Sequence, residues 1–269
     1  GMRTRTGPVQ FARGLLQILR GKPQVPPSLE GNQALRVVLN RRSVRRFSTA
    51  EISDDVMAAI LEAGRLAPST VNLQTWSFAL FSPATWQATF GRALPFGGAR
   101  AVVVMADSHR VRLALDSFPH SPLVEHTVAV MNASLAAMNM NIAAEALGVA
   151  SVMLSETGQT GILDAGYLAE RLGLPPGVVP LMTIVLGYPR GGYPPMPPKL
   201  PLDQICFQGT YPEPAPGLMD DWLAQMKAGY RASHPLSSFD AQLRVYELKL
   251  ARAEAALQAM LSAGRGPGS

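Results

Sequence analysis

Arginines crowd one short stretch of the sequence, RRSVRRF at residues 41–47. Four guanidinium groups in six positions repel one another, so some anion should offset their charge. A planar guanidinium donates two parallel hydrogen bonds, which suits a phosphate dianion, and Ser43 adds a hydroxyl donor. Taken alone, the segment also fits a solvated basic surface or a nucleic-acid patch, although it lacks the interleaved aromatic residues that favour the latter.

A second stretch, APSTVNLQTW at residues 67–76, concentrates small polar side chains after a helix-ending proline. Its donors and acceptors are Ser69, Thr70, Asn72 and Gln74. The two side-chain amides can donate and accept at once, as the carbonyl and imide edges of a flat heterocycle require. The alternative interpretation is a polar turn that follows a helix, with Trp76 packed in the core.

Composition bounds the partners and the compartment. The chain has 269 residues, with 24 Lys and Arg against 19 Asp and Glu, a formal charge of +5. That excess is too small to select a nucleic acid or a membrane surface, and neither is expected as a partner. The single cysteine, Cys206, excludes an internal disulfide framework and favours a reducing compartment. We interpret Cys206 as a packed thiol.

Other chemistries find little support in the sequence. The histidines, at positions 109, 120, 126 and 234, lack metal-ligand spacing, so no metal site is expected. Neither a nucleophile elbow nor a dinucleotide fingerprint is visible. No apolar run reaches the roughly 18 residues that a membrane span requires, and no leader with a clear apolar core and cleavage site is apparent. We therefore predict a cytoplasmic protein.

The segments that must position these residues alternate between helix and strand. Apolar spacing predicts helices at NQALRVVLNRR, residues 124–147, GYLAERLG, and residues 218–230 and 240–262. FSTAEISDDVMAAILEAGRLAPST is a further predicted helix, which Ser53 can cap and Pro68 ends. β-Branched and apolar runs predict strands at 76–82, 99–107, LGVASVMLS and 180–189. This alternation indicates an α+β or α/β layered fold.

The two ends of this pattern are less regular. Residues 2–27 are either a poorly ordered arm, a helix that packs on a partner subunit, or a helix on a membrane surface. Residues 189–216 are dense in proline and glycine, which predicts a connector without regular structure.

Five segments, taken in order, resemble the nitroreductase family of FMN-dependent oxidoreductases. They are RRSVRRF, APSTVNLQTWSF, AAEALGVASVML, LGLPPGVVPLMTIVLGYP and PPKLPLDQI, within residues 33–206. The resemblance implies a three-layer α+β fold, with a central mixed or antiparallel sheet, helices on both faces and an intertwined homodimer. It divides the chain into an N-terminal arm or extension at 1–30, an FMN-binding domain at 31–209 and a C-terminal helical extension at 210–269.

The resemblance also implies how the phosphate end of FMN is held. Arg41 and Ser43, with Lys199, would bind the phosphate and the ribityl chain, and Arg42 would lie alongside. Arg45 would lie near the pyrimidine edge of the flavin, where positive charge stabilises the reduced ring. Some members carry a second basic residue where this chain has Pro197.

The ring of the flavin would be contacted by two further segments. Across the dimer interface, the contacts would come from Pro68, Ser69, Thr70, Asn72 and Gln74. The backbone of Met153, Leu154 and Ser155 would line the other face. The chain departs from the family at Thr75, where proline is usual, which we interpret as a minor change. It departs again at Ser155 and Glu156, where some members have Glu-Gly, so the backbone beside the flavin N5 could differ.

The activity implied is electron transfer. NAD(P)H would reduce FMN, leave, and be replaced by a nitroaromatic, quinone or similar small acceptor. The flavin carries the hydride, so no catalytic side chain is assigned. The alternatives are a flavin-binding module without NAD(P)H turnover, suggested by the unmatched tail at 210–269, and a specialised flavin-cleaving or dehalogenating member. Residues 108–127 are expected to border the substrate pocket.

Overall fold

The computed structural model describes residues 7–115 and 121–263, which form two compact units. The smaller unit contains the described residues up to Val25 together with Pro194–Glu247. The larger contains Pro26–Tyr193, apart from residues 116–120, and the described residues from Leu248 onward. The division at residues 30 and 209 that the family resemblance implies follows a different criterion and stays a prediction.

A four-stranded antiparallel sheet lies at the centre of the larger unit. Its strands are β1 (Trp76–Phe81), β2 (Arg100–Asp107), β3 (Ala150–Leu154) and β4 (Val178–Gly187), in the order β1-β2-β4-β3. All four strands lie where the sequence predicts them, and the α+β class is confirmed. Strands β2 and β4 are buried along almost their whole length, so both of their faces are covered, which explains their continuous apolar sequences.

Helices of the described residues surround this sheet or belong to the smaller unit. In chain order they are α1 (Pro8–Arg20), α2 (Gln33–Asn40), α3 (Asp54–Arg65), α4 (Pro83–Phe90), α5 (His109–Ala114), α6 (Pro122–Ala146), α7 (Ala165–Leu172), α8 (Leu202–Ile205), α9 (Leu218–Ser233) and α10 (Phe239–Ser262).

The core divides into two clusters because successive side chains of a strand point to opposite faces of the sheet. Val102 and Val104 of β2 pack with residues of α3 and α6. Ala101 and Val103 pack on the other side, with residues of α4 and α7. The long helix α6 lies close against α3, since a Cβ on Gly64 would come within 2.8 Å of Met140 Cγ.

Local sequence signals account for where the helices begin. Ser53 caps α3, since its hydroxyl accepts a hydrogen bond from the Val56 N–H, as the sequence predicts. Helix α4, which we did not predict, begins with a reciprocal cap. The Ser82 hydroxyl accepts from Thr85 N–H at 3.1 Å, and the Ser82 N–H donates to Thr85 Oγ1 at 2.8 Å.

In the smaller unit, the N-terminal segment is a helix rather than an irregular arm. Helix α1 packs against α9 of the same chain, where a Cβ on Gly14 would lie 3.1 Å from Ala228 Cβ.

The short helix α8 lies inside the connector that we expected to be irregular. Cys206 is exposed, so its interpretation as a packed thiol is wrong. Within the described ranges, no helix is long and apolar enough to cross a membrane.

Candidate functional site

The arginine segment runs along the free edge of β3. Ser43 forms a parallel bridge with Ser151, and the Val44 N–H donates to the Ser151 carbonyl at 2.9 Å. Val44 and Phe47 are buried, whereas Arg45 is exposed. The two apolar side chains therefore anchor the segment to the larger unit and fix where the arginines emerge.

The arginines of this segment differ in their contacts. The Arg42 guanidinium turns back to donate to the carbonyls of Leu39 and Arg41, both at 2.8 Å, and so satisfies the C-terminal end of α2. Arg41 is half-buried and Arg45 exposed, and neither takes part in an ion pair among the residues that the structure describes. No carboxylate of those residues therefore lies within ion-pair distance of either guanidinium.

Residues 68–75, which we call the polar loop, have a strained backbone. Val71 and Asn72 have φ of 53° and Gln74 has φ of 51°. This left-handed region is a genuine outlier for a β-branched residue, and each such residue costs on the order of 1–3 kcal/mol. The Val71 side chain is 82% exposed, so packing does not offset that cost. Strain of this kind is typical of functional loops.

Hydrogen bonds within the polar loop hold this conformation. The Gln74 N–H donates to Ser69 Oγ at 3.1 Å, and the Gln74 side-chain amide donates to the Asn72 carbonyl at 3.1 Å. Asn72 and Gln74 are both exposed, as are Pro68 and Thr70, while Ser69 is half-buried. The loop thus presents the two amide side chains that the sequence singled out for binding a heterocycle.

Two residues outside the polar loop are hydrogen-bonded to its ends, and no local pattern in the sequence marks either of them. Asn132 of α6, 1% exposed, accepts from the Thr70 N–H at 3.1 Å and donates to Thr75 Oγ1 at 2.8 Å. The Thr75 carbonyl accepts from the Asp107 N–H at 3.1 Å. The Thr75 hydroxyl is thus buried and hydrogen-bonded, a contact that a proline at this position could not make, while the interpretation of the replacement as minor stays a prediction.

The segment that follows β3 is fastened by two cations from distant parts of the chain. Lys249 of α10 donates to the Glu156 carbonyl at 2.9 Å and to its carboxylate at 2.8 Å. Arg92 donates to the carbonyls of Gly158 and Gln159. The hydrogen bond from Lys249 lowers the pKa of the Glu156 carboxyl. This segment is consequently held in one conformation beside the end of β3.

The structure places the predicted site residues at separate positions. The arginine segment adjoins β3, in which Met153 is exposed and Leu154 buried, and Ser155 follows as an exposed residue. The polar loop leads into β1, at the opposite edge of the sheet. Lys199 is exposed and belongs to the smaller unit, so its role at a phosphate stays a prediction.

No group of three or more His, Cys, Asp or Glu residues that could hold a metal ion occurs in the described part of the chain. His126, half-buried in α6, has its pKa lowered by burial. Of the region expected to border a substrate pocket, residues 116–120 lie outside the described residues.

Comparison with known proteins gives a consistent result. The model of the nitroreductase family matches residues 38–94 and 83–188, more than half of the chain. A protein of Archaeoglobus fulgidus whose name pairs NADH dehydrogenase with NAD(P)H nitroreductase is 34% identical over 165 residues, 59% of this chain and 86% of that one. The FMN reductase [NAD(P)H] of Bacillus subtilis is 25% identical over 192 residues, 67% of this chain and 75% of that one.

A solved structure agrees with the fold. The NADPH:FMN oxidoreductase of Vibrio harveyi, complexed with NAD+, superposes with a TM-score of 0.67 and covers 85% of this chain and 98% of its own. The sequence identity is 21%, so this likeness concerns the fold alone.

Proposed function

Since this chain belongs to the nitroreductase family, we propose that it is an FMN-dependent oxidoreductase that takes its electrons from NAD(P)H. The observation that carries the proposal concerns the charges of Arg41 and Arg45. Both emerge beside β3 without an ion-pair partner among the described residues, where a cofactor phosphate and the edge of a reduced flavin would supply the missing negative charge.

The polar side chains of the arginine segment and the polar loop fit the chemical groups of FMN. The half-buried Arg41 and Ser43 offer a guanidinium and a hydroxyl to the phosphate. The exposed amides of Asn72 and Gln74 match the carbonyl and imide groups of the ring. When bound, FMN accepts a hydride from NAD(P)H and passes its reducing equivalents to an acceptor. The side chains then bind and orient, and none is assigned a catalytic role.

We further propose that the site is shared between two copies of the chain. The polar loop precedes β1 and the arginine segment adjoins β3, at opposite edges of the sheet. Three strand spacings separate these edges by about 14 Å, which supports contributions from different copies to one flavin. The exposed apolar residues Val124, Met131 and Leu135 of α6 offer a surface for the second copy.

The acceptor is a nitroaromatic, a quinone or a similar small molecule that replaces the nicotinamide at the same site. This order of events is ping-pong kinetics. Initial rates measured at several acceptor concentrations should therefore give parallel double-reciprocal plots against NAD(P)H. Intersecting plots would mean that donor and acceptor are bound at the same time. That result would contradict the proposal that the acceptor replaces the nicotinamide at the same site.

A second candidate is a flavin-binding module that NAD(P)H does not reduce. The observation that favours it is the attachment of α10, through Lys249, to the segment after β3 that is predicted to lie beside the ring. A helix fastened there could cover the face that a nicotinamide must reach.

One experiment separates the two candidates. The visible absorption spectrum of the purified, FMN-loaded protein is recorded before and after NADH or NADPH is added without oxygen. For the oxidoreductase, the flavin bands should bleach and return when an acceptor is added. Bands that persist with both nucleotides would favour the module. A protein that takes up no FMN would contradict both candidates.

A further inference from the structure

We propose that Asn132 is a positioning residue that holds the polar loop in its binding conformation. This inference rests on the proposed FMN site, and it assigns a role to a side chain that is itself buried in α6. Asn132 contacts the loop near both ends, through the Thr70 N–H and the Thr75 hydroxyl. One side chain thus fixes the separation between the two ends of the strained segment.

The conformation between these ends needs such a constraint. Three residues without glycine's freedom adopt left-handed φ values within four positions, at Val71, Asn72 and Gln74. Val71 gains no packing in exchange, since its side chain is exposed. The strain must therefore be held by hydrogen bonds, and strained residues persist only where the surrounding structure determines their conformation.

The buried position makes the Asn132 contacts strong determinants. The Asn132 amide and the Thr75 hydroxyl, which is 4% exposed, satisfy each other away from water. If either partner is lost, the other is left buried without its hydrogen bond, so the loop can recover a partner only by moving. Asn72 and Gln74 lie between the two fastened ends, and their side chains move with the backbone.

The variants are chosen to remove the contacts with little change in shape. Asn132→Leu and Thr75→Val each remove the bond between the two side chains, whereas Thr75→Ser keeps the hydroxyl. Asn139→Leu is the matched control. Asn139 lies on the same helix and donates to the Ala63 carbonyl at 3.1 Å, so it joins α6 to α3 and not to the loop.

The first measurement is amide hydrogen exchange of residues 70–75 in the protein without FMN. We expect faster exchange in Asn132→Leu and Thr75→Val, and wild-type exchange in Thr75→Ser and Asn139→Leu. Unchanged exchange in Thr75→Val would overturn the proposal, even if Asn132→Leu fails to fold. Because no cofactor is present, this result does not depend on the proposed function.

The second measurement is FMN affinity by quenching of flavin fluorescence. We expect Thr75→Val and Asn132→Leu to weaken binding by about tenfold, the scale of one lost hydrogen bond, while Thr75→Ser and Asn139→Leu stay close to wild type. Faster exchange with unchanged affinity would contradict the positioning role and leave the proposed function intact. A wild-type protein that binds no FMN would refute the proposed function, and with it the positioning role, although the exchange data would still report on the contacts.

Discussion

Asn141 Oδ1 accepts a 2.6 Å hydrogen bond from Ser151 Oγ where α6 meets β3. Both residues are buried, and Ser151 is also the residue whose carbonyl accepts from the Val44 N–H of the arginine segment. Helix α6 therefore supports the predicted site at two places, through Asn132 under the polar loop and through Asn141 under β3. Nine residues of helix separate these asparagines by about 13 Å along the axis.

Ser151→Ala should lower the free energy of unfolding by about 1–3 kcal/mol, because Asn141 Oδ1 would be left buried without a donor. Urea unfolding of the FMN-free protein measures this difference. Ser262→Ala is the control, since Ser262 is exposed on α10 and its hydroxyl bonds only within its own helix turn. The control should change stability by less than about 0.5 kcal/mol. Equal effects of the two substitutions would contradict a special role for the buried pair.

Arg41→Ala should weaken FMN binding by about 1.5–3 kcal/mol, the value of a hydrogen bond to a charged group. The physical reason is the loss of a half-buried guanidinium that forms no ion pair with a carboxylate of the described residues and is therefore available to the phosphate. Fluorescence titration at several salt concentrations measures both the affinity and its electrostatic part. Arg46→Ala is the control, because Arg46 is exposed in the same segment but has no assigned FMN contact. If both variants lose affinity equally, a general basic field binds the phosphate and the specific assignment to Arg41 is incorrect.

The shared site predicts that two defective variants restore each other. Arg41→Ala damages the phosphate end, and Asn72→Gly removes an amide while glycine tolerates the left-handed backbone. In a mixed dimer, one site receives both substitutions and the other receives neither. We therefore expect one FMN with wild-type affinity per mixed dimer, isolated by two different affinity tags.

The same experiment has an outcome that refutes the shared site. If both residues act on the flavin from one chain, every site in the mixed dimer carries one substitution, and no binding of wild-type affinity appears. Sedimentation analysis of the wild-type protein supplies the control, because a monomer at the concentrations used would also contradict the proposal.

The sequence allowed the sheet to be predicted well because its signals are local. The apolar runs of β2 and β4 need no partner to be recognised, since burial on both faces demands them. Helix α4 could also have been found. Ser82 and Thr85 have the spacing of a capping box, Pro83 occupies the first helical position and Gly91 ends the helix in the left-handed region.

The candidate site could be predicted only in part, because its supports are distant in sequence. Asn72 and Gln74 stand out by composition, but Asn132 contacts Thr75 across 57 positions. The attachment of Lys249 to Glu156 spans 93 positions. No local pattern marks such pairs, and an asparagine within an alanine-rich helix has no signal that distinguishes it from a surface residue. Arg42 illustrates a different limit of local patterns. The arginine cluster suggests anion binding, but the Arg42 guanidinium donates to the backbone carbonyls of Leu39 and Arg41.

The final prediction concerns Tyr193, whose hydroxyl donates to Glu145 Oε2 at 2.9 Å. Burial, together with the hydrogen bond and the charge of Glu145, raises the pKa of Tyr193 to about 12, against a smaller lowering by the nearby charge of Arg41. For a phenol, a raised folded-state pKa means that the neutral form is favoured. The resulting stability is complete below the unfolded pKa of about 10 and is lost as pH rises towards 12.

Phenolate absorbance measured against pH tests this assignment. Tyr193→Phe should remove the step with a midpoint near pH 12. Glu145→Gln keeps the phenol but removes the carboxylate, so it should move that step to lower pH while circular dichroism confirms a folded chain. The tether also joins the end of α6 to the segment after β4, so Tyr193→Phe should destabilise the protein at neutral pH and cost less as the phenol ionises. A step that stays in place in Glu145→Gln would show that burial alone raises the pKa of Tyr193.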